Sequence, residues 1–483
     1  MSTILVIGAS GFLGRYLVSC CPGARKVGTY HLHASMGLEF LDLQDSRQIQ
    51  EIIKRLAPSV VIYAAGLTDV DACERNPQMA WRLNTHAIAE AASCSAARIV
   101  YLSTDYAFDG LRGLYCEEDE PRPVNIYGQT KVAGERTILA RSPGNLVVRV
   151  SGLYDGEGIK GCGFSKPIVP NITDDIRLSS PIHVDDVVLA IQRLLDSDTG
   201  GIYHVAGPDA LSRYEFWQLV ALHHAGEAVQ LERPETATLR PRDSSLSTQR
   251  MQSLGWQARS VCQRLPPLKS IPRGMQSSSP TDRQRNEPCE GLLIDCVGGL
   301  LTRRNWLPEV GTVAEIDSAC ADAMDGPEFW QTTAHSRGLE ESDISNLQEQ
   351  VTLRYAPNPP VWANLRRWRA QYRLALVNNG TSATFRRWVQ KYGLDQVFDV
   401  LANSEEMGMR KPDPEFFLRV AKDLGIRSDR CVLIDDDKRN IDGARRSGLR
   451  ALQTHELGNY PISIHAWNGS EARALSLGVD LDG

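Results

Sequence analysis

The sequence predicts an α/β chain of two Rossmann-like, three-layer domains in series, and three observations predict it. Short apolar, β-branched runs alternate with helical patterns through residues 1–265, as a parallel sheet with crossover helices requires. Residues 266–290, PPLKSIPRGMQSSSPTDRQRNEPCE, are rich in Pro, Ser and charge and lack an apolar period, so they read as a linker. The same alternation then restarts with GLLIDCVGG, and 483 residues exceed what a single core accommodates. The expected boundaries are 1–265, the linker, a second domain over 291–456 and a weakly structured tail over 457–483.

Composition narrows the function classes. Charged residues make up 23% and the hydrophobic set 42%, as in ordinary globular proteins. A formal net charge of -6 offers no basic footprint for nucleic acid or an anionic membrane. No run approaches the roughly 20 apolar residues that span a bilayer. The opening MSTILVIGASG has neither the basic region nor the cleavage-like segment of a signal peptide. The 11 cysteines form no C-x-x-C pair; Cys20 and Cys21 are adjacent, and Cys296 and Cys431 lie in apolar runs. Free thiols in a reducing compartment fit them better than disulfides or zinc. A cytoplasmic protein without nucleic-acid or membrane partners is expected, and a homo-oligomer is compatible with the composition.

Strands are expected over Thr3–Ile7 and residues 59–63, 98–102 and 145–150, with a weaker one at Gly201–Val205 before a helix over 212–226. Gly8, Gly11 and Gly14 form G-x-x-G-x-x-G directly after the first strand. Glycine permits a tight turn and close approach of backbone to a pyrophosphate, whose charge suits a helix N-terminus. This turn, with Phe12 and Leu13 inside it, is the expected dinucleotide contact, together with Ala64 and Ala65 after strand 59–63. The acidic residue that would hold an adenosine ribose should close the second strand near Tyr30, but RKVGTYHLHAS has none. A carboxylate there would repel a 2′-phosphate, so its absence favours NADP(H) over NAD(H), with Arg25, Lys26, His31 or His33 available to help. Asp42, in LDLQD, is an adenine-side contact or a turn residue.

Tyr127 and Lys131 form Y-x-x-x-K in IYGQTK, one helical turn apart on one face. A free tyrosine titrates near pH 10. A neighbouring ammonium is expected to lower that value and make the phenol a usable acid/base. Ser103 and Thr104 follow the strand RIVYL, where a hydroxyl could hold a substrate carbonyl.

The motifs GASGFLG, AAGLTDVDACE, STDYAFDG, YGQTK and GIYHVAG, with SRYEF and RPRDSSLSTQRMQSLGW, stand in an order that resembles dTDP-4-dehydrorhamnose reductase and its relatives over about residues 1–265. The resemblance implies an extended short-chain reductase fold with a small C-terminal substrate lobe. It implies Thr104, Tyr127 and Lys131 as the catalytic set, with Asp105 beside them, hydride passing from NAD(P)H to a ketone carbon and Tyr127 protonating the oxygen. GEGIKGCGFSKPIVPN, between Tyr154 and Pro181, departs from the family by its shortness, in the region that helps form the sugar pocket. The regulatory subunit of methionine adenosyltransferase also looks similar.

In the second half a strand delivers Asp295, and a strand-end carboxylate can attack phosphorus. Asn378-Asn379-Gly380 follow RLALV, Lys411 stands in MRKPDPEFF, and Asp435-Asp436 in LIDDDKRNIDGARRSG. This order resembles the haloacid dehalogenase superfamily over about 291–456, with residues 303–370 as its helical cap. The resemblance implies Asp295 as nucleophile, Lys411 as phosphate-steadying cation, and Asp295, Asp435 and Asp436 as magnesium ligands. The family's phosphatases place a second Asp, the leaving-group acid, two residues after the nucleophile; here that residue is Val297. Asp435-Asp436 argue against metal-free dehalogenation, and the absence of lysine from 303–370 argues against Schiff-base phosphonate cleavage.

The expected function is therefore a fusion. Its first half reduces a keto group of a nucleotide- or phospho-sugar, and its second half is a phosphatase-like module of weakened or altered activity. The alternative is a non-catalytic dinucleotide-binding regulatory protein with a degenerate phosphatase-like domain.

Overall fold

Seven parallel strands form the first sheet, in spatial order Gly201–Val205, Leu146–Val150, Arg98–Thr104, Val60–Tyr63, Thr3–Ile7, Arg25–Tyr30 and Leu38–Phe40. The computed structural model describes residues 2–18, 24–155, 177–197, 199–223, 238–265, 289–304 and 312–454. The glycine-rich stretch at 156–176, nearly all of the expected linker, the tail over 457–483 and part of the expected cap lie outside the described residues.

Side chains alternate along the central strand, and both faces are covered, so the strand reads as a continuous apolar run. Ile4 and Val6 pack with Val184, Val187 and Ile191 on one face. Leu5 and Ile7 pack with Ile49, Ile53 and Ile88 on the other. Numbered along the chain, the strand order is 3-2-1-4-5-6-7. It reverses between Thr3–Ile7 and Val60–Tyr63, and the crevice at such a reversal is where open α/β sheets bind ligands.

Helix Ile126–Arg141 starts at Asn125, whose side chain accepts the Gly128 amide at 2.9 Å. Two glycines persist inside it against helix propensity because its neighbours press on it. A Cβ at Gly128 would stand 2.2 Å from the Tyr106 carbonyl oxygen, and one at Gly134 2.5 Å from the Tyr101 hydroxyl.

The second sheet has five parallel strands in the order Val400–Asn403, Arg373–Asn378, Gly291–Asp295, Cys431–Asp435 and Arg450–Gln453. This is 3-2-1-4-5, so its reversal falls between the strands ending at Asp295 and Asp435. Leu293, Val377 and Leu433 build its core with Phe416, Phe417 and Val420. An antiparallel pair, Leu301–Arg303 with Tyr355–Pro357, brackets helices Thr312–Cys320, Gly326–His335 and Ile344–Thr352. The two sheets belong to separate compact units, divided mainly between Leu265 and Pro266. Both are Rossmann-like α/β layers, as expected. Cys296 and Cys431 are buried free thiols.

Candidate active sites

The glycine turn closes on the first sheet's reversal. Gly8 has φ +88°, a conformation that L side chains rarely adopt, and a Cβ there would stand 2.8 Å from the Ala65 amide nitrogen. A Cβ at Gly14 would stand 2.0 Å from the Gly8 carbonyl oxygen. Ala64 donates its amide to the Ile7 carbonyl at 2.9 Å. The structure thus gathers Gly8, Gly14, Ala64 and Ala65 within a few residues of one point, with Gly11 exposed at the tip. Phe12 is half-buried under the Arg15 guanidinium, whereas the Leu13 side chain belongs to the core.

Two expectations around the adenosine end change. Arg25 and Lys26 pair in register with Thr3 and Ile4, at the opposite end of the sheet from Gly8, so they cannot reach a nucleotide there. A strand rises about 3.3 Å per residue, which separates them by the length of the strand. His31 lies at the correct end and is exposed, as is His33. Asp42 turns its carboxylate to the Gln44 amide at 2.9 Å, with His31 Nε2 3.7 Å away.

Thr104 ends its strand and donates its hydroxyl to Asp105 at 3.1 Å. Asp105 is buried and also accepts Ser151 at 2.9 Å and Ser244 at 2.7 Å. Tyr127 lies edge-on to Tyr106, with ring centroids 6.1 Å apart. Burial pushes its phenol above the usual tyrosine value, an effect partly offset by the Thr104 side chain beside it. The expected lowering by Lys131 is therefore not found: burial dominates, and Thr104 is the group that opposes it. Lys131 is itself buried, its ammonium 4.2 Å from the centre of the Tyr101 ring. Burial pulls Lys131 down to about 7, with Glu135 opposing.

Ser103 points the other way, as strand alternation requires. Its hydroxyl donates to Glu135, not to the cleft, so it is not a substrate-holding group. Glu135 also accepts Arg149 at 3.0 and 2.7 Å, and Arg149 reaches His204 Nε2 at 3.3 Å. Sequence reasoning missed this buried network, although Glu135 continues the Tyr127–Lys131 spacing by one more turn. It also missed Asn84, which holds Leu67 through its amide at 2.8 Å and carbonyl at 3.0 Å and donates to Thr130 at 3.0 Å. Asn84 sits in a π-helical turn, Arg82–His86, which carries no periodicity signal.

Lys131 yields a pH prediction. An unfolded lysine titrates near 10.4. Between pH 7 and pH 10 the unfolded chain therefore binds more protons than the folded one, and this group's contribution to stability rises with pH. Lys131→Met should be more stable than wild type at pH 6 by up to a few kcal/mol, at about 1.4 kcal/mol per pH unit of separation. That gap should close towards pH 10 in urea melts without added nucleotide. A gap independent of pH would remove the buried, easily discharged ammonium.

In the second unit, Asp295 and Asp435 end adjacent strands at the reversal. Lys411 donates to both, to Asp435 at 2.8 Å, and is 2% exposed. Asn379 fixes the Lys411 backbone through two bonds, at 2.9 and 3.0 Å. Burial disfavours the Lys411 charge, but the two carboxylates together hold it above the usual lysine value. Burial and the neighbouring carboxylates Asp435 and Asp436 hold Asp295 well above the usual carboxylate range against Lys411. Ligand oxygens of Asp295, Asp435 and Asp436 lie within 4.8 Å of one another, a hard-oxygen set suited to a small divalent cation. Gly298, at φ +99°, keeps the space beside Asp436 clear, since a Cβ would stand 2.2 Å from its carboxyl carbon. Asn378 is buried at the next strand end.

Residues 1–266, more than half of the chain, match the family model described as the RmlD substrate binding domain. The chain belongs to that family. Residues 304–448 match the model of haloacid dehalogenase-like hydrolases. Methionine adenosyltransferase 2 subunit beta of Bos taurus is 31% identical over 278 residues, 52% of this chain and 82% of the relative. The probable low-salt glycan biosynthesis reductase Agl14 of Haloferax volcanii is 32% identical over 266 residues, 50% of this chain and 88% of the relative. The crystal structure of a hypothetical dTDP-4-dehydrorhamnose reductase from Sulfolobus tokodaii is 31% identical, covers 52% of this chain and 94% of its own, and has a TM-score of 0.46. The RmlD-family match ends within one residue of the first compact unit. The hydrolase-like match begins after Asp295, so the strand carrying that carboxylate precedes it. The chain is a fusion of an RmlD-family domain and a haloacid dehalogenase-like domain. Among the described residues, no helix is long and apolar enough to cross a membrane.

Proposed function

We propose that the RmlD-family domain, residues 1–265, reduces a keto group on a nucleotide- or phospho-sugar with NADPH. The observation that supports this best is the cluster of Thr104, Asp105 and Tyr127 at the carboxyl end of strand Arg98–Thr104, with Lys131 one helical turn from Tyr127. Gly8, Gly11, Gly14, Ala64 and Ala65 would hold the dinucleotide, which supplies the hydride. Thr104 orients the substrate carbonyl, Tyr127 gives its proton to the oxygen, and Lys131 completes the set one helical turn away. That no acidic residue closes strand Arg25–Tyr30 in the sequence favours NADPH over NADH.

Residues 291–456 form a phosphatase-like module of weakened or altered turnover, joined to the reductase by the 266–290 linker. Asp295, Asp435 and Asp436 would hold Mg2+, whose chemistry there is to offset phosphate charge. Asp295 is the nucleophile and Lys411 steadies the phosphate. Linking the two modules raises the local concentration of a shared intermediate.

A regulatory reading has one observation in its favour, the likeness to methionine adenosyltransferase 2 subunit beta. A screen of keto-sugar nucleotides and keto-sugar phosphates with NADPH and NADH, followed by nicotinamide absorbance, separates the two. Substrate-dependent oxidation of NADPH, faster than of NADH, is expected. NADPH binding without oxidation across the screen would favour the regulatory reading.

A further inference from the structure

We infer that the C-terminal site accepts a phosphoryl group from acyl phosphates and retains it on Asp295. This rests on the preceding assignment of Asp295 and Lys411 as a phosphate site. The argument comes from what can carry a proton around Asp295. An alkyl ester expels an alkoxide, about as basic as hydroxide, unless an acid protonates it. An acyl phosphate expels a carboxylate, whose conjugate acid has a pKa of about 4, and needs no proton. The same positioned acid would afterwards serve as base for the water that discharges the phosphoryl group.

Among the described residues no group is placed for either task. The loop leaving Asp295 reads Cys296-Val297-Gly298-Gly299-Leu300. Cys296 is fully buried, Val297 is half-buried and carries no proton, and Gly298 is pressed against Asp436. Gly299 gives only its backbone amide, to Asp295 at 3.2 Å. Lys411 is committed to two carboxylates. Asp435 accepts Lys411, both Asn440 bonds at 3.0 and 3.1 Å, and the Asp437 amide at 2.9 Å. Asp436 completes the carboxylate trio. Asn378 and Asn379 offer amides, which do not titrate.

The steps balance without a further reactant. An Asp295 carboxylate oxygen attacks phosphorus, the bond from phosphorus to the acyl oxygen breaks, and the carboxylate leaves with the electron pair. Asp295 then carries the phosphoryl group as a mixed anhydride. Water later attacks phosphorus, the Asp295 carboxylate leaves, and the proton goes to bulk solvent, which makes this step slow.

The test uses the full chain with Mg2+ and 32P-labelled acetyl phosphate, quenched in acid. Protein-bound label approaching one per chain is expected, released by hydroxylamine and absent from Asp295→Asn. Label should form from glycerol phosphate about 10²–10⁴-fold more slowly than from acetyl phosphate, because only the alkoxide leaving group needs the missing acid. Val297→Asp should raise glycerol phosphate turnover by about 10²-fold or more and lower the standing label. A separate arm measures the thermal shift given by Mg2+ with beryllium trifluoride, a phosphoryl mimic. If beryllium trifluoride shifts the transition but no label accumulates, or if both phosphates label wild type equally fast, the inference is overturned. If beryllium trifluoride does not bind, the assignment of the phosphate site itself fails and the inference falls with it.

Discussion

Tyr127→Phe is expected to lower ketone reduction by about 10²–10⁴-fold while leaving NADPH binding nearly unchanged. Phenylalanine keeps the ring that packs edge-on against Tyr106 and removes only the hydroxyl. The Thr104 hydroxyl keeps its bond to Asp105, so the substitution orphans no buried donor. The loss should appear in kcat more than in KM, because the proton is transferred only in the transition state. Nicotinamide absorbance reports the rate, and NADPH fluorescence titration reports binding. Equal rates in the two proteins would remove the phenol as proton donor.

Glu135→Ala should cost about 3–5 kcal/mol of stability in the RmlD-family domain, the range for breaking a buried ion pair from one side. Arg149 is fully buried, and Glu135 is its carboxylate partner, with 2% of the Glu135 side chain exposed. Removing Glu135 leaves the Arg149 guanidinium in the interior with His204 as its other polar contact, over the Phe108 ring at 5.0 Å. Burial and the Arg149 charge pull His204 down to about 3, so it stays neutral and cannot replace the lost carboxylate. Ser103 loses its acceptor as well. The paired change Glu135→Leu with Arg149→Met should recover most of the loss, since replacing both partners removes the uncompensated charge. Calorimetry of the full chain checks this through the transition of that domain, and a shift equivalent to less than about 1 kcal/mol would mean that water reaches the arginine.

Some of the sites was legible for a local reason. Gly8, Gly11 and Gly14 follow one strand directly, and Tyr127 and Lys131 share one helical turn. Turn and helix geometry act over a few residues, so spacing alone places such groups. The adenosine end was less legible. Arg25 and Lys26 are near in sequence to the expected contact but stand at the far end of their strand. Short strands with polar or charged members, such as Leu38–Phe40 and Arg450–Gln453, gave no alternating signal and take their place from pairing with neighbours. The expected influence of Lys131 on Tyr127 failed because spacing says nothing of desolvation, which dominates both groups.

The sequence by itself determined two α/β domains, the order of their motifs and which chemical groups stand at strand ends. These follow from hydrophobic period and from residues that act within a turn of their neighbours. Only the tertiary structure decided which strand ends meet. It set Asp295 beside Asp435 and Gly8 against Ala65, turned Ser103 away from the cleft and enclosed Glu135 with Arg149. Those outcomes depend on strand order and burial, which arise from contacts between segments far apart along the chain, and no local spacing encodes them.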